Sequence, residues 1–153
     1  MTLALEAGSE DSSLLDDETI ARAQSALKTM TSFFDEAMDD DVSALNAARM
    51  ALHAAQPTSE LVGSLLERAN NLEAQGNRLD VPLVAALAGS LHNLVAATPE
   101  PALLPLELVD AHVDALKALG RQKRLTNPQS AELIRLLRTS VRRTIGDWHA
   151  ASA

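Results

Sequence analysis

Proline and glycine divide this chain into stretches in which apolar residues recur every three or four positions, the spacing of a helix face. The longest stretch runs from about Asp16 to Pro57 and has no internal Gly or Pro. It predicts one long helix from Asp16 or Asp17, or two with a break near the acidic run 39–41. Its apolar series is Ile20, Leu27, Met30, Phe34, Met38, Val42, Leu45, Ala48 or Arg49, and Leu52.

Four further helices are expected after Pro57. The second begins near Ser59 and stops at Gly76-Asn77, and the third begins at Val81-Pro82. The fourth begins near Pro105 and ends at Gly120, and the fifth follows the cap pair Asn127-Pro128. Alanine and leucine, both strong helix formers, make up about a third of the residues, and Tyr is absent. This balance argues against a sheet.

The predicted fold is therefore all-α. Short connections favour antiparallel neighbours, so residues 16–120 are expected to form an up-and-down four-helix bundle. Residues 1–15 mix Gly, Ser and acidic residues and are expected to be a flexible N-terminus. A basic linker, 121–126, then leads to an additional C-terminal amphipathic helix, 127–150.

Composition narrows the class of protein. The chain has no Cys, which excludes disulfides and thiolate metal sites and fits a cytoplasmic location. It has neither a signal-like N-terminus nor an apolar run of membrane-spanning length, so no membrane association is expected. Charge is polarised: residues 1–60 carry 12 acids and 3 bases, and residues 111–153 carry 3 acids and 8 bases. Because the net charge is −8, no nucleic-acid partner is expected.

Motifs for catalysis are missing from the sequence. The four histidines His53, His92, His112 and His149 have no metal-ligand spacing, the glycines form no phosphate loop, and the serines lack an elbow context. His112 falls on an apolar stripe and is interpreted as a core residue, whereas His92 is interpreted as an exposed polar residue. We expect neither an enzyme nor a bound metal or cofactor.

Residues from about Met30 to Leu119 resemble the histidine-phosphotransfer (HPt) domain, especially the form at the N-terminus of chemotaxis histidine kinases. The resemblance rests on three segments in the first, second and fourth helices. They are Phe33-Phe34-Asp35-Glu36-Ala37, Leu65-Leu66-Glu67-Arg68-Ala69 with Val81-Pro82-Leu83-Val84, and Pro105 to Asp110 with Ala115 to Leu119. The resemblance implies a four-helix bundle that docks receiver domains through its second helix.

The chemical residues of the HPt motif are replaced here. Counting back from Pro82 places Asn70 where the family has its phosphorylated histidine, Glu73 where it has a lysine, and Ala74 where it has a glycine. An amide is not a nucleophile toward an acyl phosphate, and a glutamate would repel the phosphoryl oxygens. Asn70 is therefore interpreted as a degenerate phosphosite position.

These observations lead to a prediction of a non-catalytic pseudo-HPt adaptor. It would bind a receiver domain or a histidine kinase of a bacterial two-component or chemotaxis pathway without passing phosphate. Two alternatives stay open: a structural protein that oligomerises through its C-terminal helix, and a phosphotransfer protein that uses His92. The predicted partner-binding face of the second helix comprises Gly63, Glu67, Asn70, Glu73 and Ala74.

The fifth helix carries an apolar stripe too large to leave in water. It is expected to pack on its own bundle, near the acidic first helix, or on a second copy, which leaves a homodimer open. The predicted stripe is Leu133, Leu136, Leu137, Val141, Ile145 and Trp148.

Overall fold

The computed structural model describes residues 2–122 and 128–152, and the side chains of 17–26, 36–119 and 130–151. Within these residues there are helices and turns but no strand, which confirms the all-α prediction. The elements are α1 (Thr2–Ala54), α2 (Ser59–Arg78), α3 (Pro82–Ala97), a 3-10 turn (Pro101–Leu103), α4 (Leu106–Gln122) and α5 (Pro128–Ser152). By contact the chain separates into two units, Met1–Glu36 and Ala37–Ala153.

Helix α1 is one continuous helix, without a break at the acidic run 39–41. It begins at Thr2, so the predicted start near Asp16 is wrong; the predicted flexibility of residues 1–15 stays a prediction. Its end at Ala54 agrees with the stop expected from Pro57. Of its apolar series, Val42, Leu45, Ala48 and Leu52 are buried in the second unit, whereas Ile20 is half exposed and Leu27, Met30 and Phe34 lie outside the described side chains.

The core of the second unit centres on α3, which contacts α2, α4 and α5. Apolar residues recur at helical spacing along α3, and of these Leu87, Leu91, Leu94 and Val95 are buried, whereas Leu83 is only half buried. Burial extends beyond a stripe because three helices surround α3. Its buried residues are Val84, Leu87, Ala88, Gly89, Ser90, Leu91, Leu94 and Val95.

Helix α5 packs on α3 and α4 of its own chain. It begins at Pro128 as expected, whereas Asn127 and the rest of the linker from 123 lie outside the described residues. The predicted stripe is wrong at Leu133 and Leu136, which are 44% and 50% exposed. The packed face keeps the other four predicted residues and adds Ile134. It comprises the buried Ile134, Leu137 and Val141 with the partly buried Ile145 and Trp148.

The turn between α2 and α3 explains why Gly76 is not a helix stop. Asp80 takes the left-handed conformation there, with φ of 56°, and the Val81 N–H donates to the Gly76 carbonyl at 2.8 Å. This six-to-one bond is the signature of a Schellman cap. Gly76 is instead a contact point between helices, because an added Cβ would lie 2.7 Å from the backbone nitrogen of Ala85. Helix α4 likewise continues past its predicted stop at Gly120 to Gln122.

A buried cation joins α1 to α4. Arg49 is 8% exposed, and its Nη1 donates to Asp110 Oδ1 at 3.3 Å and to Asp114 Oδ1 at 3.0 Å. Its Nε donates to Asn46 Oδ1 at 3.2 Å. His53 Nε2 lies 2.9 Å from both carboxylate oxygens of Asp110. A guanidinium is tolerated at such depth because its donors are satisfied.

We expect Gly76→Ala to destabilise the protein and Gly146→Ala to stabilise it. The first adds a methyl group against helix backbone, which costs about 1–3 kcal/mol. The second adds a methyl group where nothing lies within 4 Å, so helix propensity adds up to about 1 kcal/mol. Urea unfolding followed by circular dichroism measures both changes. Equal midpoints for the two variants would contradict the close contact between α2 and α3.

Candidate functional site on the outer face of helix α2

Local sequence fixes the start and the orientation of α2. Thr58 is extended and its hydroxyl accepts the N–H of Leu61 at 3.2 Å, which satisfies a donor in the first turn. The negative charge of Glu60 in that turn interacts favourably with the positive end of the helix dipole. The buried side of the helix, formed by Leu65, Ala69, Leu72 and Gly76, faces the core. The opposite side is thereby directed to solvent.

Four of the five residues of the predicted partner-binding face are exposed. Gly63, Glu67, Asn70 and Ala74 follow one another at intervals of three or four along the outer side of α2. Nothing lies within 4 Å of the position a Cβ would take at Gly63. Leu66 is half buried and lies between Gly63 and Asn70, where it adds apolar surface. The face combines small residues, one carboxylate and one amide on a rigid helix.

Glu73, the fifth residue of that face, is directed to α3. Its Oε1 lies 3.4 Å from His92 Nδ1, and both side chains are about one-third exposed. Its Oε2 occupies the space that a side chain at Gly89 would take. Because the glycine leaves this space, the carboxylate reaches the surface of α3. Glu73 therefore contributes less to the outward face than the sequence predicted.

From its sequence position, His92 is predicted to be an exposed polar residue, but its side chain is only partly exposed. It is partly buried and pairs with Glu73, a contact that the position of His92 on its own helix did not indicate. A sequence signal did exist, since Gly89 stands one turn before His92 on the same face. A small residue at that place makes room for a partner from the next helix.

Asn70 is exposed and makes no side-chain hydrogen bond among the described residues. Its amide can donate and accept hydrogen bonds with a partner but cannot attack a phosphorus atom. Asn70 can therefore form hydrogen bonds but supplies no nucleophile.

A histidine and a serine lie bonded in the core, away from this face. His112 is fully buried, which confirms its interpretation as a core residue. Its Nδ1 lies 2.7 Å from the Leu108 carbonyl and its Nε2 lies 2.9 Å from Ser90 Oγ. The neutral ring donates from Nδ1 and accepts the Ser90 hydroxyl at Nε2. Burial lowers the pKa of His112. Because both His112 and Ser90 are buried, a substrate in solvent cannot reach this pair.

Sequence reasoning missed the Ser90–His112 pair and the Arg49 cluster. Ser90 and His112 are 22 positions apart, and Arg49 and Asp110 are 61 apart. A polar residue on an apolar stripe was the one available signal for His112 and Arg49. The identity of the partner depends on how the helices meet.

Metal and membrane sites find no support in the part of the chain that is described. No three or more His, Asp or Glu side chains there converge as a metal ion requires. None of the helices examined over the same residues combines the length and apolarity needed to cross a bilayer.

Comparison of this chain with known protein families, with curated proteins and with solved structures gave no match. None of the three identifies an HPt domain. The HPt resemblance therefore stays a hypothesis that rests on the sequence segments.

We expect the free energy of unfolding to fall as the pH is lowered below about 6.5. Folding lowers the pKa of His112 from 6.5, so the unfolded imidazole binds a proton first. The stability is full above the unfolded pKa and declines below it, by up to about 1.4 kcal/mol per pH unit, until the folded pKa is reached.

The measurement is urea unfolding of wild type and His112→Gln between pH 7.5 and about 5, a range set by the titration of histidine. The difference between the two proteins cancels the carboxylate contribution. It should shrink as the pH falls. Parallel curves would show that His112 is not held neutral.

Proposed function

We propose that this protein is a non-catalytic adaptor that binds a protein partner through the outer face of α2. The observation that supports it most directly is the open surface at Gly63, where nothing lies within 4 Å of the Cβ position. Together with exposed Ala74, it lets a partner's backbone approach the helix closely. Leu66 supplies apolar contact, and Glu67 and Asn70 supply hydrogen-bonding groups that set specificity.

The partner that fits this proposal is a receiver domain or a histidine kinase of a bacterial two-component or chemotaxis pathway. This part rests on the HPt resemblance of residues 30–119 and on the up-and-down four-helix arrangement that it implies. A pseudo-HPt module would occupy the surface that a phosphorylatable HPt domain uses. It would sequester or scaffold the partner in the cytoplasm.

We expect the protein to accept no phosphoryl group from a phosphorylated receiver or kinase. Asn70 offers no nucleophile, and Glu73 stands at the sequence position where the HPt motif has its lysine, so a carboxylate replaces the cation that would neutralise phosphoryl oxygens. The measurement is incubation with a labelled phospho-receiver followed by detection of acid-labile label. Label on His92 would support the phosphotransfer alternative and overturn the adaptor proposal.

We expect Gly63→Arg to abolish partner binding while Gly146→Arg leaves it intact. Both glycines are exposed in helices with open space around the Cβ position, so both variants fold, and both add the same side chain. Only the first places it on the outer face of α2. The measurement is affinity capture from the native host with each variant as bait, followed by mass spectrometry.

The expected result is a receiver-domain protein or a kinase captured by wild type and by Gly146→Arg and lost with Gly63→Arg. Capture that survives Gly63→Arg would remove α2 from the interface. Loss with both variants would contradict a face restricted to α2. Partners without a receiver or kinase domain would contradict the partner class and leave the α2 surface to be reassigned.

A further inference from the structure

One side of α5 carries leucines that the core of the second unit does not cover. Leu136 is 50% exposed and Leu133 is 44% exposed, although α5 packs on α3 and α4. Leu136 lies about 140° around the helix axis from Val141 on the packed face, at about 100° per residue. The two leucines therefore point away from their own bundle and expose apolar surface to water.

The charged residues on this side of α5 have both signs. Glu132, Arg143 and Asp147 are exposed and lie within about 40° of Leu136 around the helix axis. Arg143 and Asp147 make no ion pair with another described residue, and Glu132 makes only an exposed pair with Arg135, which adds little. We call six residues the α5 leucine face: Glu132, Leu133, Leu136, Ser140, Arg143 and Asp147.

The order of these charges fits a second copy of the same face that runs antiparallel. A two-fold axis that crosses between positions 137 and 138 of α5 sets position 132 opposite position 143 of the partner. Glu132 of each protomer then faces the partner's Arg143 on the same edge of the face, so the ion pair forms twice. A parallel arrangement would set Glu132 against Glu132 and Arg143 against Arg143. Charge therefore selects the antiparallel arrangement.

The same register covers the leucines. Leu136 lies about 2 Å along the helix from the axis, so the two Leu136 side chains meet at its centre. Leu133 lies beside the partner's Ser140, whose small side chain permits close approach. Asp147 lies opposite position 128, where α5 of the partner begins and the helix dipole is positive. Apolar contact at the centre is thus flanked by opposite charges.

We propose that the protein forms a homodimer by antiparallel packing of two α5 leucine faces. The contact is closed, because each protomer uses the same surface and neither face is left over for a third copy. A single pair of helices buries less area than a standard stable interface, so the dimer dissociates on dilution. The contact uses no residue of α2 and leaves the proposed adaptor surface free.

Charge reversal tests the register. Glu132→Arg alone and Arg143→Glu alone each oppose like charges at both ends of the dimer. The double variant restores both pairs with their signs exchanged, and an equimolar mixture of the two single variants restores them between unlike chains. Arg142→Glu is the matched control, because Arg142 lies about 120° from Leu136 around the helix and outside the face. Leu136→Glu tests the apolar centre by setting two carboxylates against each other.

Sedimentation equilibrium of each full-length sample measures the mass and the dissociation constant. Wild type and Arg142→Glu are expected to approach twice the 16.3 kDa chain mass with the same dissociation constant. Each single charge variant is expected to raise that constant about tenfold, and the double variant and the mixture to return it to the wild-type value. Leu136→Glu is expected to stay at the chain mass. Circular dichroism checks that every variant keeps the wild-type helix content.

Three outcomes would overturn the proposal. The first is a wild-type chain that stays at the chain mass at every soluble concentration. The second is a dimer that Leu136→Glu leaves intact, which would place the contact elsewhere in the chain. The third is a folded double variant that dimerises no better than the single variants. Gly63→Arg is expected to dimerise like wild type, so this test and the test of the α2 face fail independently.

Discussion

Burial of α3 on several sides is the constraint on which the second unit depends. A helix that contacts α2, α4 and α5 at once has little surface left for solvent, and half of its sixteen residues are buried. Such a helix must be apolar or small at nearly every turn, as α3 is. Each neighbour then meets it in a different way. Helix α2 approaches at Gly76 and Ala85, α4 meets it through a hydrogen-bonded pair, and α5 meets it through aliphatic side chains.

Three polar side chains buried at this core, Arg49, Ser90 and His112, are matched to partners. Ser90 on α3 donates to His112 on α4, which in turn donates to its own helix at the Leu108 carbonyl. Arg49 on α1 binds Asp110 and Asp114 on α4. Buried polar groups cost free energy unless they are hydrogen-bonded, so these contacts restrict the ways in which α4 can pack. They specify the arrangement of the helices more than they add to stability.

The same packing decides which side chains of α2 and α5 are left to solvent. Because Gly89 leaves space on α3, Glu73 turns away from the outer face of α2, and what remains there is Gly63, Glu67, Asn70 and Ala74. Because Ile134 and Leu137 pack inward on α5, Leu133 and Leu136 remain about half exposed. A rotation by one residue on either helix would exchange buried for exposed positions.

Local preferences within the sequence determined the helical class, most helix boundaries, the core position of His112 and the exposure of four outer residues of α2. Apolar spacing and proline positions act within a few residues, so one chain suffices to interpret them. The tertiary structure decided that Ile134 completes the packed face of α5 in place of Leu133 and Leu136. It also decided the pairing of Glu73 with His92, the partners of Arg49 and the use of Gly76 as a contact. On α5, Leu133, Ile134, Leu136 and Leu137 offer two adjacent stripes of similar hydrophobicity. Only the shape of the α3 and α4 surface distinguishes them, because it is formed by residues distant in sequence.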